Sequence, residues 1–277
     1  MTAASTTTSA PAARLTGATL AFGDRTIFDG LDLTVEPGEF LAVLGPNGSG
    51  KTTLLRTLLG LQALDAGTVT VDGRAPGRAA SRTGYIPQQR PFAPYTPLRA
   101  RDLVGLGIDG TRLGPRVHRR ACTRQVDALL AEVGATGYAD APVGSLSGGE
   151  QQRLRVAQAL ATDPRLLLCD EPLLSLDLKH QQAVSALIDR RRVEHGTAVV
   201  LVTHEINPVL DLVDRVLYLV GGQFRLGTPD EVLRTEVLSE MYGSRVEVIE
   251  AGGRLVVVGL PDATTHHHHD HDHDEVA

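Results

Sequence analysis

The chain has 277 residues, and its 27 Lys and Arg against 33 Asp and Glu leave a net charge of -6, most of it from Asp262, Asp270, Asp272, Asp274 and Glu275 near the end. The near-neutral body excludes the basic footprint of a nucleic-acid binder, so no nucleic-acid partner is expected. A chain of this length buries a substantial core unaided, and Cys122 and Cys169 stand at no metal or redox spacing, which excludes a disulfide-stapled secreted scaffold.

The first thirteen residues, rich in Thr, Ser and Ala, lack the charged start and apolar stretch of a signal peptide. Residues 1–13 are expected to be a disordered leader. From Arg14 to Phe40 the pattern is strand-like, with Ala18 to Phe22 and Leu31 to Val35 either side of the turn-forming Phe22-Gly23-Asp24-Arg25. This predicts an antiparallel opening. Phe40 to Leu44 is an unbroken apolar run that leads into a glycine-rich loop, and Lys51 to Leu61 carries helix-spaced leucines.

Prolines 91, 94, 97 and 115 mark a change of character, followed by a helical stretch from Arg116 to Glu132 in which Val126, Leu129, Leu130 and Val133 share a face. A helical insert is therefore predicted over 89–162. Leu166 to Asp170 and Ala198 to Thr203 read as buried strands, each after a helical segment, as in a parallel α/β sheet with crossover helices. Arg245 to Ile249 and Arg254 to Val258 should pair as a hairpin about Ala251-Gly252-Gly253, within a C-terminal unit at 243–261. Residues 262–277 have no means of building a core and are expected to form a flexible tail. The longest apolar runs, such as Ala198 to Val202, fall far short of the ~20 residues needed to cross a bilayer.

Gly45-Pro46-Asn47-Gly48-Ser49-Gly50-Lys51-Thr52 satisfies the phosphate-loop pattern in its required context, between a strand and a helix that Thr53 continues. Glycines let the backbone turn its N–H groups onto phosphates, and the helix N-terminus adds partial positive charge. Lys51 is expected to reach the β and γ oxygens of ATP, and the Thr52 hydroxyl to ligate Mg²⁺. The strand ending in Asp170-Glu171 places two acids at the carboxyl edge of the sheet, where ligands sit in open α/β folds. Asp170 could hold Mg²⁺, and Glu171 could polarise the attacking water.

Leu146-Ser147-Gly148-Gly149-Glu150-Gln151-Gln152-Arg153 resembles the signature sequence of ABC ATPases. Further elements follow the same family in order. Phe22, 29 residues before Lys51, stands where the family stacks adenine on an aromatic ring; Gln88 resembles the Q-loop glutamine; Ser175-Leu176-Asp177 resembles the D-loop; and His204 resembles the switch histidine. The resemblance implies a P-loop NTPase of ABC ATPase type over 14–242, with a RecA-like parallel sheet, an antiparallel β subdomain and the helical insert. It implies catalytic roles for Glu171 and His204, Mg²⁺ contacts from Thr52, Gln88 and Asp170, and nucleotide contacts from Phe22 and the loop. It also implies a head-to-tail homodimer, in which Ser147, Gly148, Gly149 and Asp177 complete the partner's site.

One ATPase domain without a spanning segment implies separately encoded permease subunits and a peripheral position at the cytoplasmic face of the membrane. An importer with an extracytoplasmic solute-binding protein is expected. The body resembles ATP-binding subunits of zinc and manganese importers, and His266, His267, His268, His269, His271 and His273 alternate with aspartates in a composition suited to Zn²⁺. Import of a divalent metal is the reading favoured. A purification tag, a non-metal cargo, and a soluble ABC ATPase of metal-cluster assembly stay open as alternatives.

Overall fold

The computed structural model describes residues 10–88, 91–110 and 119–259. The tail histidines 266–269, 271 and 273, and all but the end of the leader, lie outside the described residues.

In chain order the elements are β1 (Ala13–Phe22), β2 (Arg25–Val35), β3 (Phe40–Leu44), α1 (Lys51–Leu58), β4 (Ala66–Val71), β5 (Thr83–Ile86), α2 (Ala100–Asp109), α3 (Arg119–Glu132), α4 (Gly148–Leu160), β6 (Leu166–Asp170), α5 (Leu178–His195), β7 (Ala198–Val202), β8 (Arg215–Val220), β9 (Gln223–Gly227), α6 (Pro229–Val232), α7 (Thr235–Tyr242), β10 (Val246–Ala251) and β11 (Arg254–Gly259). The main sheet runs β5-β6-β7-β3-β8-β9, parallel except for the antiparallel β9. A second, antiparallel sheet runs β2-β1-β4.

The central strands β3, β6 and β7 are buried at every position, and apolar except at Asp170, because both faces are covered. Phe40, Ala42 and Leu44 of β3 join the cluster that includes α4, α5 and α7, whereas Leu41 and Val43 join Leu54, Leu55 and Leu58 of α1 and the antiparallel sheet. Leu167 and Cys169 of β6 point to the first side, Leu166 and Leu168 to the second. Asp170 continues the second row, and this alternation aims its carboxylate at α1.

The predicted hairpin, loop, buried strands and insert helices are present, with two differences. β1 starts at Ala13, inside the segment read as leader, and Ala12 is buried beside it. Small side chains fit where Ala13 pairs with both Val35 and Val71, a use that low-complexity composition conceals. The first helix stops at Leu58, since Gly60 takes φ 73° and leaves Leu61 74% exposed, outside the helical stripe. Of the helix read from Arg116, the described part begins at Arg119.

β10 and β11 pair as expected, Ile249 opposite Val256. Val246 enters the core, and the Asn207 side chain grips Leu255 twice, its amide donating to the carbonyl at 2.9 Å and its oxygen accepting from the N–H at 2.8 Å. No described helix is long and apolar enough to cross a membrane.

Candidate functional site

The turn from β3 into α1 is possible only because two positions lack a side chain. Gly45 takes φ 139° and Gly50, the N-cap of α1, takes φ 105°. A Cβ at Gly45 would overlap the Leu219 carbonyl, and one at Gly50 the Ile27 side chain. The Ser49 N–H donates to the Pro46 carbonyl at 3.2 Å and closes the loop, while the Ser49 hydroxyl is buried without a partner.

The Lys51 ammonium donates to the carbonyls of Gly45 at 2.7 Å and Pro46 at 2.9 Å. Burial lowers its pKa, and the nearby Glu171 and Asp170 carboxylates oppose that shift. The Thr52 hydroxyl donates to Asp170 Oδ1 at 3.3 Å. Asp170 is 4% exposed, and burial raises its pKa against the lowering effect of the Thr52 hydrogen bond. Thr53 is half-buried on the first turn of α1, its carbonyl accepting from the Thr57 hydroxyl.

Glu171, one residue past β6, has φ 49°. A non-glycine residue in this region carries about 1–3 kcal/mol of strain and persists only where neighbours hold it. Here its N–H donates to the Val202 carbonyl at 2.9 Å, and its Oε2 lies 2.8 Å from His204 Nδ1. Gln88 is exposed directly after β5. Gly45, Pro46, Asn47, Gln88, Glu171 and His204 all line one cavity of about 740 Å³. Phe22, half exposed, stands on the β1–β2 turn opposite Arg25.

The remaining predicted residues form a separate patch. Ser147 caps α4 in a reciprocal box, its N–H donating to Glu150 Oε2 at 2.8 Å and its hydroxyl accepting from the Glu150 N–H at 3.4 Å. Asp177 caps α5, accepting from the His180 N–H at 2.9 Å, and this bond lowers its pKa. His180 joins the two caps, because a Cβ on Gly149 would overlap its ring. Ser147, Gly148, Gly149 and Asp177 do not line the cavity that holds Glu171 and His204.

Two contacts had no signature in the sequence. Tyr85 on β5 lies close enough to Asp170 that this carboxylate, together with burial, raises the pKa of its hydroxyl. The Arg25 guanidinium donates to the Gly48 carbonyl at 2.5 Å. Each joins residues far apart in the chain, which a local pattern cannot record.

The loop fits a polyphosphate with a hard cation. Its two glycines keep clear the space that side chains would fill, an ammonium faces the loop, and a hydroxyl beside a carboxylate supplies the oxygen donors that Mg²⁺ prefers. Residues 28–174 match the family described as ABC transporter. The chain is 41% identical over 219 residues to the aliphatic sulfonates import ATP-binding protein of Nocardia farcinica, covering 78% of this chain and 81% of that protein. It is 37% identical over 231 residues to the zinc import ATP-binding protein of Pseudomonas fluorescens, covering 83% and 82%. Among solved structures, an inward-facing transporter assigned to the metal-chelate type superposes with a TM-score of 0.73 at 27% identity, covering 91% of this chain and 98% of that one.

Proposed function

The chain belongs to the ABC transporter family and is an ATP-hydrolysing enzyme, and from that premise we propose that it is the motor subunit of an importer, acting as a head-to-tail pair beneath separate membrane subunits. The observation that carries this reading is the division of the predicted site into two patches. One holds the start of the loop with Glu171 and His204 around a cavity, and Asp170 tied to the loop's end through Thr52; the other holds Ser147, Gly149 and Asp177, joined by His180. A second copy, turned to face the first, would bring the two kinds of patch together twice.

In this arrangement adenine stacks on Phe22, and the loop from Gly45 to Thr53 receives the phosphates with Lys51 on the β and γ oxygens. Thr52, Asp170 and Gln88 would hold Mg²⁺, which neutralises phosphate charge when bound. Glu171 takes a proton from the attacking water, and His204, hydrogen-bonded to it, fixes the direction of that carboxylate. Ser147, Gly148, Gly149 and Asp177 of one chain close over the nucleotide of the other. With ATP, the Glu171→Gln variant should elute as a dimer whose mass light scattering confirms. If it remains a monomer with ATP bound, in solution and in its membrane assembly, the head-to-tail reading falls.

The cargo we propose is a divalent transition metal, with a solute-binding protein delivering it to the permease from outside. The zinc-importing relative and the metal-chelate type structure support this, as does the composition of the tail, with six histidines among aspartates. A second reading, import of a sulfur oxyanion, has support from the sulfonate relative and from the sulfate/thiosulfate import ATP-binding protein of Mycobacterium tuberculosis, 39% identical over 219 residues. Among the described residues no cluster of three or more His, Cys, Asp or Glu side chains could hold a metal ion. Cells carrying only the Glu171→Gln variant should lose ⁶⁵Zn²⁺ or Mn²⁺ uptake while retaining growth on sulfonate sulfur. The reverse pattern selects the oxyanion.

A further inference from the structure

Beside Gly48 and Ser49 of the phosphate loop lies a second cavity, of about 340 Å³, lined also by Arg25, Thr26, Ile27 and the Gly221-Gly222 turn among others. Its walls are the β1–β2 turn, the loop itself, and the β8–β9 turn. Arg25 reaches across it from the start of β2, and one Nη donates to the Gly48 carbonyl at 2.5 Å. Arg25 is also the cross-strand partner of Phe22. The hairpin thus sets the aromatic residue and the arginine opposite each other, with the guanidinium anchored on the phosphate loop.

We propose that Arg25 is a nucleotide-contacting residue, donating to the phosphate next to the ribose and so bridging the base seat at Phe22 and the β,γ seat at Lys51. The proposal rests on the ATP-site reading and deepens it. A nucleotide with its base on Phe22 and its terminal phosphates at Lys51 must carry its first phosphate between those points, and Arg25, opposite Phe22 in the hairpin and hydrogen-bonded to Gly48 of the loop, connects the two elements that hold them. Among the described residues no carboxylate lies within ion-pair distance of this guanidinium, although Asp24 lines the same cavity. The bond to Gly48 uses part of a five-donor fork and fixes its plane, which leaves donors in the geometry that suits a phosphate. The Ser49 hydroxyl, buried and unpartnered, belongs to the same cavity wall.

The competing role is a brace that only stiffens the loop. The two roles separate in calorimetric titrations of the full chain with ADP and with inorganic pyrophosphate, which lacks the sugar-linked phosphate. Loss of a charge-assisted contact in Arg25→Gln should weaken ADP by about 10- to 100-fold while pyrophosphate stays within about twofold. Unchanged ADP binding, or an equal fall for both ligands, overturns the proposal. Lys51→Ala, measured alongside, should weaken both ligands. If it weakens neither, it is the ATP-site reading that has failed, independently of Arg25.

Discussion

Asp170 is held in an unfavourable setting for a charge, since its carboxylate is nearly buried and that burial raises its pKa against the lowering effects of the Thr52 hydroxyl, Lys51 and Arg56. A group whose folded pKa is raised favours the folded state below its unfolded value of ~3.9 and loses that contribution as pH rises through the folded value. At neutral pH the ionised group therefore destabilises the nucleotide-free fold. Asp170→Asn should raise the melting temperature at pH 7 by calorimetry, with the gain vanishing below about pH 4, and should abolish Mg²⁺-dependent turnover. Glu171→Gln should instead keep ATP binding while slowing turnover by about 10²- to 10⁴-fold in a phosphate-release assay. Near-normal hydrolysis would remove Glu171 from the role of base. Most of these side chains were legible in the sequence because each ends a buried strand or fills a loop whose spacing is fixed by phosphate geometry. Arg25 and Tyr85 were not, because their partners come from other elements. The cap at Ser147 was written in Ser147-x-x-Glu150, a spacing that lets the two side chains satisfy each other's backbone N–H.

At the scale of elements, the loop between β3 and α1 is the place where sequence and backbone constrain each other most tightly. Gly50→Ala combines a left-handed φ with overlap on Ile27, and should destabilise the chain by about 1–3 kcal/mol in urea unfolding. A loss under ~0.5 kcal/mol would show that the β2 side of the loop yields easily. Asn207→Ala removes both bonds to Leu255 and should raise amide exchange in β10 and β11 while the sheet core stays protected. The strands missed by a chain-order reading share a physical cause. β4 has exposed residues and a glycine, β5 has only four residues, and β9 mixes polar and half-buried positions. Each depends on a neighbouring strand, and none carries a periodicity of its own. The parallel strands β3, β6 and β7 were legible because burial on both faces compels a continuous apolar run.

For the whole molecule, the head-to-tail proposal makes hydrolysis a property of the pair. A chain with Lys51→Ala keeps an intact Ser147 patch, and a chain with Ser147→Arg keeps an intact loop. Mixed one to one with ATP, they should regain hydrolysis that neither shows alone, because one of the two composite sites in a mixed pair is whole. Absence of any recovery, with mixed pairs demonstrated by cross-linking, would mean that each chain cleaves ATP by itself.

The strand β5, at the sheet's margin, leads into Gln88 and is hydrogen-bonded only to β6, which ends at Asp170. Inner strands are clamped from two sides, but this one can slip along a single seam without tearing any other. In the proposed motor, a shift carried by β5 would therefore break hydrogen bonds to one strand only before it reached the segment that precedes α2.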